Sequence, residues 1–250
     1  MIACGISECG KRAHNEDAYL IQCDDPNFAL VAVSDGMGGY AAGEVASAMI
    51  IEALSESFEA FDRDADDRAL KQLLSEVIVR AGARVFEDAE VNPEREGMGA
   101  TLVAAILKPD RVIWASCGDS RIYDFADGEL RQITTDHSYV QGLIDAGRIN
   151  EQEALVHPYR NIITRALGLD AMTAPDSGSF EWSKGDILLL CSDGLCGVTL
   201  NKNLCVCIRR GAKNLDKLMK RLVKLAYDCG STDNITVVLA ANEGGEDIGI

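Results

Sequence analysis

Residues 28–44 constrain the fold of this chain more than any other stretch. An apolar, β-prone run, Phe28 to Val33, breaks abruptly into the glycine-rich loop Ser34-Asp35-Gly36-Met37-Gly38-Gly39. A strand therefore delivers the carboxylate of Asp35 to its end, beside glycines that let backbone or a ligand approach closely. Across 41–61, apolar residues recur every three or four positions, which predicts a long helix directly after the loop.

The arrangement of a strand followed by Asp-Gly occurs more than once. A single Asp-Gly pair is most often a surface turn. Here a second apolar run, 186–191, ends in Ser192-Asp193-Gly194, and a third ends at Asp119 within ASCGDSR. Asp233 immediately precedes a fourth run, 234–241. Four aspartates at strand ends are therefore candidates for one shared site.

Length and charge limit the classes of protein that this chain can belong to. At 250 residues with 47% hydrophobic content, it can bury a full core, and without repeats or a linker we expect one domain, 1–250. Its 24 basic and 40 acidic residues give a net charge of −16, which argues against nucleic acid or an anionic membrane as the main partner. The first ten residues do not resemble a signal peptide, and the apolar runs are too short to span a bilayer, so we expect a cytoplasmic protein.

Nine scattered cysteines, without a C-x-x-C pair, indicate a reducing compartment. Most lie in apolar segments, where a free cysteine behaves as a small hydrophobic residue. Because Cys117 and Cys191 each precede a candidate aspartate by two positions, an alternative is that their oxidation disturbs the site.

Periodicity predicts the remaining elements. Strands are expected at 1–7, 17–23, 28–34, 101–107, 112–117, 121–125, 129–133, 186–191 and 234–241, and helices at 41–61, 68–89, 138–146, 151–155 and 215–226. The first two helices suggest an antiparallel pair over one sheet face, and the four strands between 101 and 133 suggest a meander. Segment 136–165 is predicted to be an insertion, either a flap over the site or a peripheral subdomain.

The hairpin of strands 17–23 and 28–34 brings further polar residues toward Asp35. Antiparallel pairing places Glu16 and Asp17 beside it, with Arg12 within reach. Such clustered carboxylates would repel one another unless divalent cations bind them. Oxygen ligands suit Mg²⁺ or Mn²⁺, and two such ions can clamp a phosphoryl group and activate a water. Arg12 offers a bidentate donor to phosphate oxygens.

Six motifs together resemble a known family. They are Arg12 with Asn15-Glu16-Asp17, SDGMGG (34–39), GMGATL (97–102), GDSR (118–121), CSDGL (191–195) and STDNIT (231–236). Occurring in this order, and covering 6–241, they resemble the metal-dependent (PPM, type 2C) protein serine/threonine phosphatases, bacterial branch.

The resemblance implies a fold and a set of roles. The fold is α+β, a four-layer αββα sandwich of two antiparallel β-sheets flanked by helix pairs, with a flap at about 136–165 that influences substrate choice. Asp35 would bridge two Mn²⁺ or Mg²⁺ ions, the Gly36 carbonyl would complete one of them, and Asp193 and Asp233 would hold the other. Roles are also implied for three further groups: Asp119 would help to form a third metal site, Glu16 and Asp17 would orient metal waters, and Arg12 would bind the phosphate.

The implied reaction is hydrolysis of phosphoserine and phosphothreonine by a water activated between two metals. The implied partners are phosphorylated proteins that are substrates of a cytosolic serine/threonine kinase. Members of the family often carry histidine after the Asp-Gly or after the Gly-Gly, where this chain has Met37 and Tyr40, so the group that protonates the leaving alcohol is unassigned. One alternative is a catalytically weak phosphoprotein-binding regulator. Another, a two-metal nuclease, is opposed by the acidic charge balance. His14, His137 and His157 are expected to be structural or surface residues.

Overall fold

Two antiparallel β-sheets lie face to face in the middle of the molecule. The computed structural model describes residues 1–39 and 42–243. The strands are β1 (Ile2–Glu8), β2 (Asp17–Asp25), β3 (Phe28–Met37), β4 (Gly99–Ala100), β5 (Leu102–Lys108), β6 (Arg111–Cys117), β7 (Arg121–Ala126), β8 (Glu129–Gln132), β9 (Asp176–Glu181), β10 (Ile187–Cys191) and β11 (Ile235–Ala241). One sheet has the order β1-β11-β10-β7-β8 and the other β2-β3-β5-β6-β9, with the two-residue β4 paired beside β3. Alternate side chains of both sheets form a buried layer between them.

Helix pairs cover the outer faces of the two sheets. The α-helices are α1 (Ala42–Ser57), α2 (Asp67–Val91), α3 (Tyr139–Asp145), α4 (Glu151–Leu155), α5 (Asp193–Cys196), α6 (Asn201–Gly211) and α7 (Leu215–Asp228). The pair α1 and α2 packs on the six-stranded sheet, and α6 and α7 pack on the five-stranded sheet. The predicted four-layer αββα sandwich is therefore confirmed. Separately, within the described residues no helix has the length and apolar character needed to cross a membrane.

Local sequence explains where the helices begin. Asp66 precedes α2, and its side chain accepts a hydrogen bond from the Ala69 N–H at 2.8 Å. Asn214 does the same for α7 with the Lys217 N–H, also at 2.8 Å. Each side chain satisfies one of the N–H groups that the first helical turn leaves without a partner. The apolar stripes of these helices then face the sheets, as their periodicity predicts.

The predicted meander between 101 and 133 is wrong. Strands β5 and β6 pair in one sheet, but β7 and β8 belong to the other. The chain crosses between the sheets at Gly118–Ser120, where Gly118 has φ +103° and a Cβ would lie 2.5 Å from the Thr101 Cβ. Only glycine fits this crossing, which the hydrophobic pattern does not distinguish from a hairpin turn.

Four elements were absent from the prediction: the two-residue strand β4, the strand β9 and the helices α5 and α6. Strand β9 is an edge strand with the sequence DSGSFE, which lacks β-branched residues. In α6 the five residues LCVCI are contiguous and apolar, so they hide the helical period. The short α5 begins at Asp193, where the sequence suggested only a strand end.

Candidate active site

Asp17 and Asp35 face each other at the end of the β2–β3 hairpin, as the hairpin prediction required. The Asp17 Oδ2 accepts a hydrogen bond from the Ser192 hydroxyl at 2.7 Å, while its Oδ1 is buried without a partner among the described residues. Burial, more than any other cause, raises the pKa of Asp17 to about 6, and hydrogen bonds from Thr236 and Ser192 partly offset that effect. Burial also raises the pKa of Asp35 well above its ordinary value, followed by the negative charges of Asp17 and Asp193.

Asp193 and Asp119 reach the same place from the other sheet. Asp193 begins α5 directly after β10, and Asp119 lies in the crossing between β6 and β7. Burial and the charges of Asp233 and Asp17 raise the pKa of Asp193 to about 7. Burial and the charge of Asp193 raise the pKa of Asp119 well above its ordinary value, and its Oδ1 is also buried without a partner in the described part of the chain. Within the described residues, Arg12 and Arg121 offset only part of the negative charge at Asp193 and Asp119, because burial and the neighbouring carboxylates still raise the pKa of both.

Arg12 and Asp233 form the exposed rim of the site. The Arg12 Nη2 donates to the Asp233 Oδ2 at 2.7 Å, and the two side chains are 55% and 34% exposed. This hydrogen bond, together with the charge of Asp233, raises the pKa of Arg12. The predicted proximity of Arg12 to the acidic cluster is confirmed, and its guanidinium is open to solvent on the side away from Asp233.

Asn234 is a central residue of the site that the sequence analysis did not identify. Its Nδ2 donates to the carbonyls of Cys9 at 2.8 Å and His14 at 2.9 Å, and its Oδ1 accepts from the Glu16 N–H at 2.8 Å. These three bonds fix the loop that carries Arg12 against the start of β11. The Asp-Asn pair in STDNIT is the only sequence signal for this role.

Close backbone approaches hold the elements of the site together. A Cβ on Gly36 would lie 2.0 Å from the Gly43 carbonyl oxygen, and one on Gly194 would lie 1.8 Å from the Asn234 carbonyl oxygen. The Gly36 N–H donates to the Glu16 carbonyl at 3.0 Å. Burial raises the pKa of the Glu16 carboxyl. The glycines of both Ser-Asp-Gly motifs therefore allow a strand end to touch a neighbouring segment.

His137 connects the crossing loop to the insertion. Its Nδ1 accepts from the Gly118 N–H at 3.0 Å, so its Nε2 carries the proton and donates to the Asp176 Oδ2 at 3.0 Å. Arg165 donates to the other oxygen of Asp176 at 2.7 Å. His137 is thus a structural residue, whereas His157 lies near the rings of Tyr139 and Tyr159 on the flap.

A groove of about 380 Å³ opens beside the cluster. Arg12, Asp119, Asp193 and Asp233 line one side, and the flap lines the other, through residues that include Ile144, Leu155 and Arg160. Segment 136–165 therefore lies next to the site, as a flap would, rather than at the periphery. The side chain of Met37 offers no proton, and Tyr40 lies outside the described residues, so neither identifies the general acid.

The donor set suits a hard divalent cation. In residues 1–39 and 42–243, no group of three or more acidic, histidine or cysteine side chains is arranged to hold a metal ion by itself. Mg²⁺ and Mn²⁺ keep several waters and bind through few protein oxygens, so an open carboxylate cluster fits them better than a closed site would. The partnerless oxygens of Asp17 and Asp119 are the groups that such hydrated ions would satisfy. The nine cysteines are free thiols, and burial raises the pKa of Cys117 to about 12, which suits an inert core residue.

Known proteins share this sequence and fold. The family model described as protein phosphatase 2C matches residues 4–234. The serine/threonine phosphatase Stp of Listeria welshimeri is 36% identical over 228 residues, which are 91% of this chain and 90% of the relative. The crystal structure of Stp1 from Staphylococcus aureus has a TM-score of 0.89 and 35% identity, covering 97% of this chain and 95% of that one. The catalytic domain of the phosphatase PstP, solved with two manganese ions, has a TM-score of 0.84 and 36% identity, covering 96% and 97%.

Two sheets whose ends gather aspartates beside an exposed arginine define a class of metal-dependent phosphate-ester hydrolases. The chain belongs to the protein phosphatase 2C family, and the resemblance found in its motifs is confirmed. Its activity is that of a metal-dependent protein serine/threonine phosphatase.

Proposed function

We propose that Asp35, Asp193 and Asp233 hold two Mn²⁺ or Mg²⁺ ions, with the Gly36 carbonyl as a further ligand and Asp119 contributing to a third site. The observation that carries this assignment is the mutual repulsion of the cluster. Asp35 experiences the charges of Asp17, Asp193, Asp119 and Asp233 together, and each of them raises its pKa. Semi-buried carboxylates at strand ends persist when a cation neutralises them, because otherwise they take up protons.

Each side chain then has a distinct task. When bound, the ions would polarise the phosphoryl oxygens and lower the pKa of the water that attacks phosphorus. Asp17 is held by Ser192, and with Glu16 it would accept hydrogen bonds from the ions' waters and orient them. Arg12 would hold the phosphate, exchanging part of its contact with Asp233 for the substrate oxygens. The groove beside the flap would receive the polypeptide around the phosphorylated residue.

The substrates that we propose are phosphoserine and phosphothreonine proteins modified by a cytosolic serine/threonine kinase, with the enzyme acting in the cytoplasm. Support comes from the open groove and the exposed Arg12, which admit a protein surface rather than only a small molecule. Nucleic acid is not proposed as a substrate, because three arginines and no lysine line the groove among the described residues, too few basic groups to follow a phosphodiester backbone.

Matched asparagine variants test the assignment. Asp35→Asn and Asp193→Asn should each lower kcat on p-nitrophenyl phosphate with Mn²⁺ by at least 100-fold, whereas Asp24→Asn, at an exposed strand position, should leave it unchanged. Arg12→Ala should raise KM for a phosphothreonine peptide more than Arg12→Lys does. Turnover that persists in both site variants, or that survives EDTA, would refute the proposed ligands. If the wild-type protein binds phosphopeptides but shows almost no turnover, the alternative of a catalytically weak phosphoprotein-binding regulator would be favoured.

A further inference from the structure

The outer surface of the α6–α7 pair is strongly basic in an otherwise acidic protein. Residues 201–228 contain eight basic and two acidic residues, a net of +6, so the rest of the chain carries −22. All eight side chains are exposed, and together they are called the basic face. They are Lys202, Arg209, Arg210, Lys213, Lys217, Lys220, Arg221 and Lys224.

Helical geometry places these charges on one continuous surface. In α7 the buried residues include Leu218, Leu222 and Ala226, and lysines and arginine occupy the opposite side at spacings of three and four. The Arg221 guanidinium donates to the Arg210 carbonyl at 3.1 Å, which joins the charged rows of the two helices. Among the described residues, Lys224 alone of the eight forms an ion pair, with Asp228. The remaining charges are therefore available to a partner.

The net charge of −16 does not decide what this face can bind. The opposite helix pair, 42–91, contains twelve acidic and five basic residues, a net charge of −7, and the remaining −15 lies elsewhere in the chain outside α6 and α7. Four layers separate the two outer surfaces by roughly 30 Å, taking about 10 Å for each spacing. The Debye length at physiological salt is only about 8 Å. A partner at the basic face is therefore screened from the acidic face.

We propose that the basic face docks the enzyme on an anionic phospholipid surface. Neither groove found among the described residues opens between the two charged rows. An extended anionic surface can contact these exposed charges together, whereas a strand or helical peptide binds by lying along a sheet edge or in a groove. Val206 and Tyr227 are 44% and 39% exposed within or beside the charged rows. Apolar and tyrosine side chains among basic ones suit a headgroup boundary.

Docking in this orientation leaves the active site accessible. The aspartate cluster lies at the ends of the strands, and α7 runs toward it, since Asp228 is followed closely by Asp233. The groove therefore opens at the edge of the sandwich rather than on the basic face. A membrane partner was not expected from overall composition, and this local charge is the reason to revise that expectation.

Vesicle sedimentation tests the proposal. The full chain should bind phosphatidylcholine vesicles that contain about one third phosphatidylglycerol, and its affinity should fall steeply as salt increases, because the attraction is electrostatic. It should not bind vesicles of phosphatidylcholine alone. The variant K213Q/K217Q/K220Q/K224Q should bind at least tenfold more weakly, with unchanged hydrolysis of p-nitrophenyl phosphate.

The matched control removes the same charge from the other helix pair. The variant R68Q/K71Q/R80Q/R84Q has the same net charge as the test variant and should bind vesicles within twofold of wild type. Equal losses in both variants would show that net charge alone matters and would overturn the proposal. The proposal would also be overturned if the wild-type protein did not bind anionic vesicles at 0.1 M salt. Binding to polyglutamate or duplex DNA in place of vesicles would count as the same result.

Discussion

Asp17 and Asp193 make the folding stability of the metal-free protein depend on pH. Their pKa values of about 6 and about 7 are above the ordinary value of an aspartate, and burial is the main cause. Protons therefore bind more tightly to the folded protein than to the unfolded chain. This contribution to stability is fully present below about pH 4, the pKa of an unfolded aspartate, and it is lost as pH rises through 6 and 7.

The pH dependence of stability should reverse with metal. In EDTA, the free energy of unfolding should be higher at pH 5.5 than at pH 8, by about 3 kcal/mol from these two groups. With saturating Mn²⁺, ionised carboxylates are needed for binding, so stability should be higher at pH 8. Urea midpoints at the two pH values measure both trends. Asp35→Asn should weaken the EDTA trend, and a midpoint that rises with pH in EDTA would contradict the explanation.

Single residues differed in how well the sequence identified them. Asp35, Asp119, Asp193 and Asp233 could be predicted because a strand end is visible as the break in an apolar run. Asn234, by contrast, joins segments more than 200 positions apart through its amide. Such side-chain hydrogen bonds have no period in the sequence, so only the folded structure reveals them.

Among the elements, the contact between α5 and β11 leaves no space for a methyl group at Gly194. Gly194→Ala would place a Cβ 1.8 Å from the Asn234 carbonyl oxygen. It should therefore destabilise the protein by at least about 3 kcal/mol and displace Asp193. Gly39→Ala, where no atom of the described residues lies within 4 Å of the new Cβ, should stay within about 0.5 kcal/mol. Thermal unfolding of both variants tests the difference, and equal melting temperatures would disprove it.

The flap depends on His137 for its connection to the site. His137→Ala removes the acceptor for the Gly118 N–H and the donor to Asp176, so it should cost about 1–3 kcal/mol. It should also lower kcat and raise the Mn²⁺ concentration needed for half activity, because Asp119 follows Gly118. His157 lies near the exposed rings of the flap, and His157→Ala is the control. It should leave stability, kcat and the manganese requirement unchanged. A variant that loses stability while its manganese requirement stays unaltered would show that His137 does not position Asp119.

Elements were predicted correctly where apolar residues recur at a regular spacing. They were missed where the position of a segment depends on which sheet it joins. Helices α1, α2 and α7 and the β2–β3 hairpin follow from spacing alone. The sequence at Gly118–Ser120 is equally compatible with a hairpin turn between β6 and β7 and with a crossing between the sheets. The crossing forms because β7 pairs with β10 in the other sheet, which the local sequence does not reveal. Strand β9 gains its stability by pairing with β6 rather than from its own sequence.

At the scale of the whole molecule, the two sheets should unfold together. Trp114 and Trp182 both contact the buried layer between the sheets, whereas far-ultraviolet circular dichroism reports mainly on the outer helices. If residues 1–250 form one domain, urea should give coincident transitions with the two probes. Fluorescence that changes at lower urea than dichroism would indicate separate units and contradict the prediction.

The site also spans the boundary between the sheets. Asp35 ends a strand of one sheet, while Asp193 and Asp233 adjoin strands of the other. The distance between the proposed ligands is therefore set by how Val31, Leu188 and Val238 interlock in the buried layer. All three side chains are fully buried. Enlarging or trimming one of these side chains would shift one sheet relative to the other, and affinity for manganese would change without any alteration to the ligands themselves.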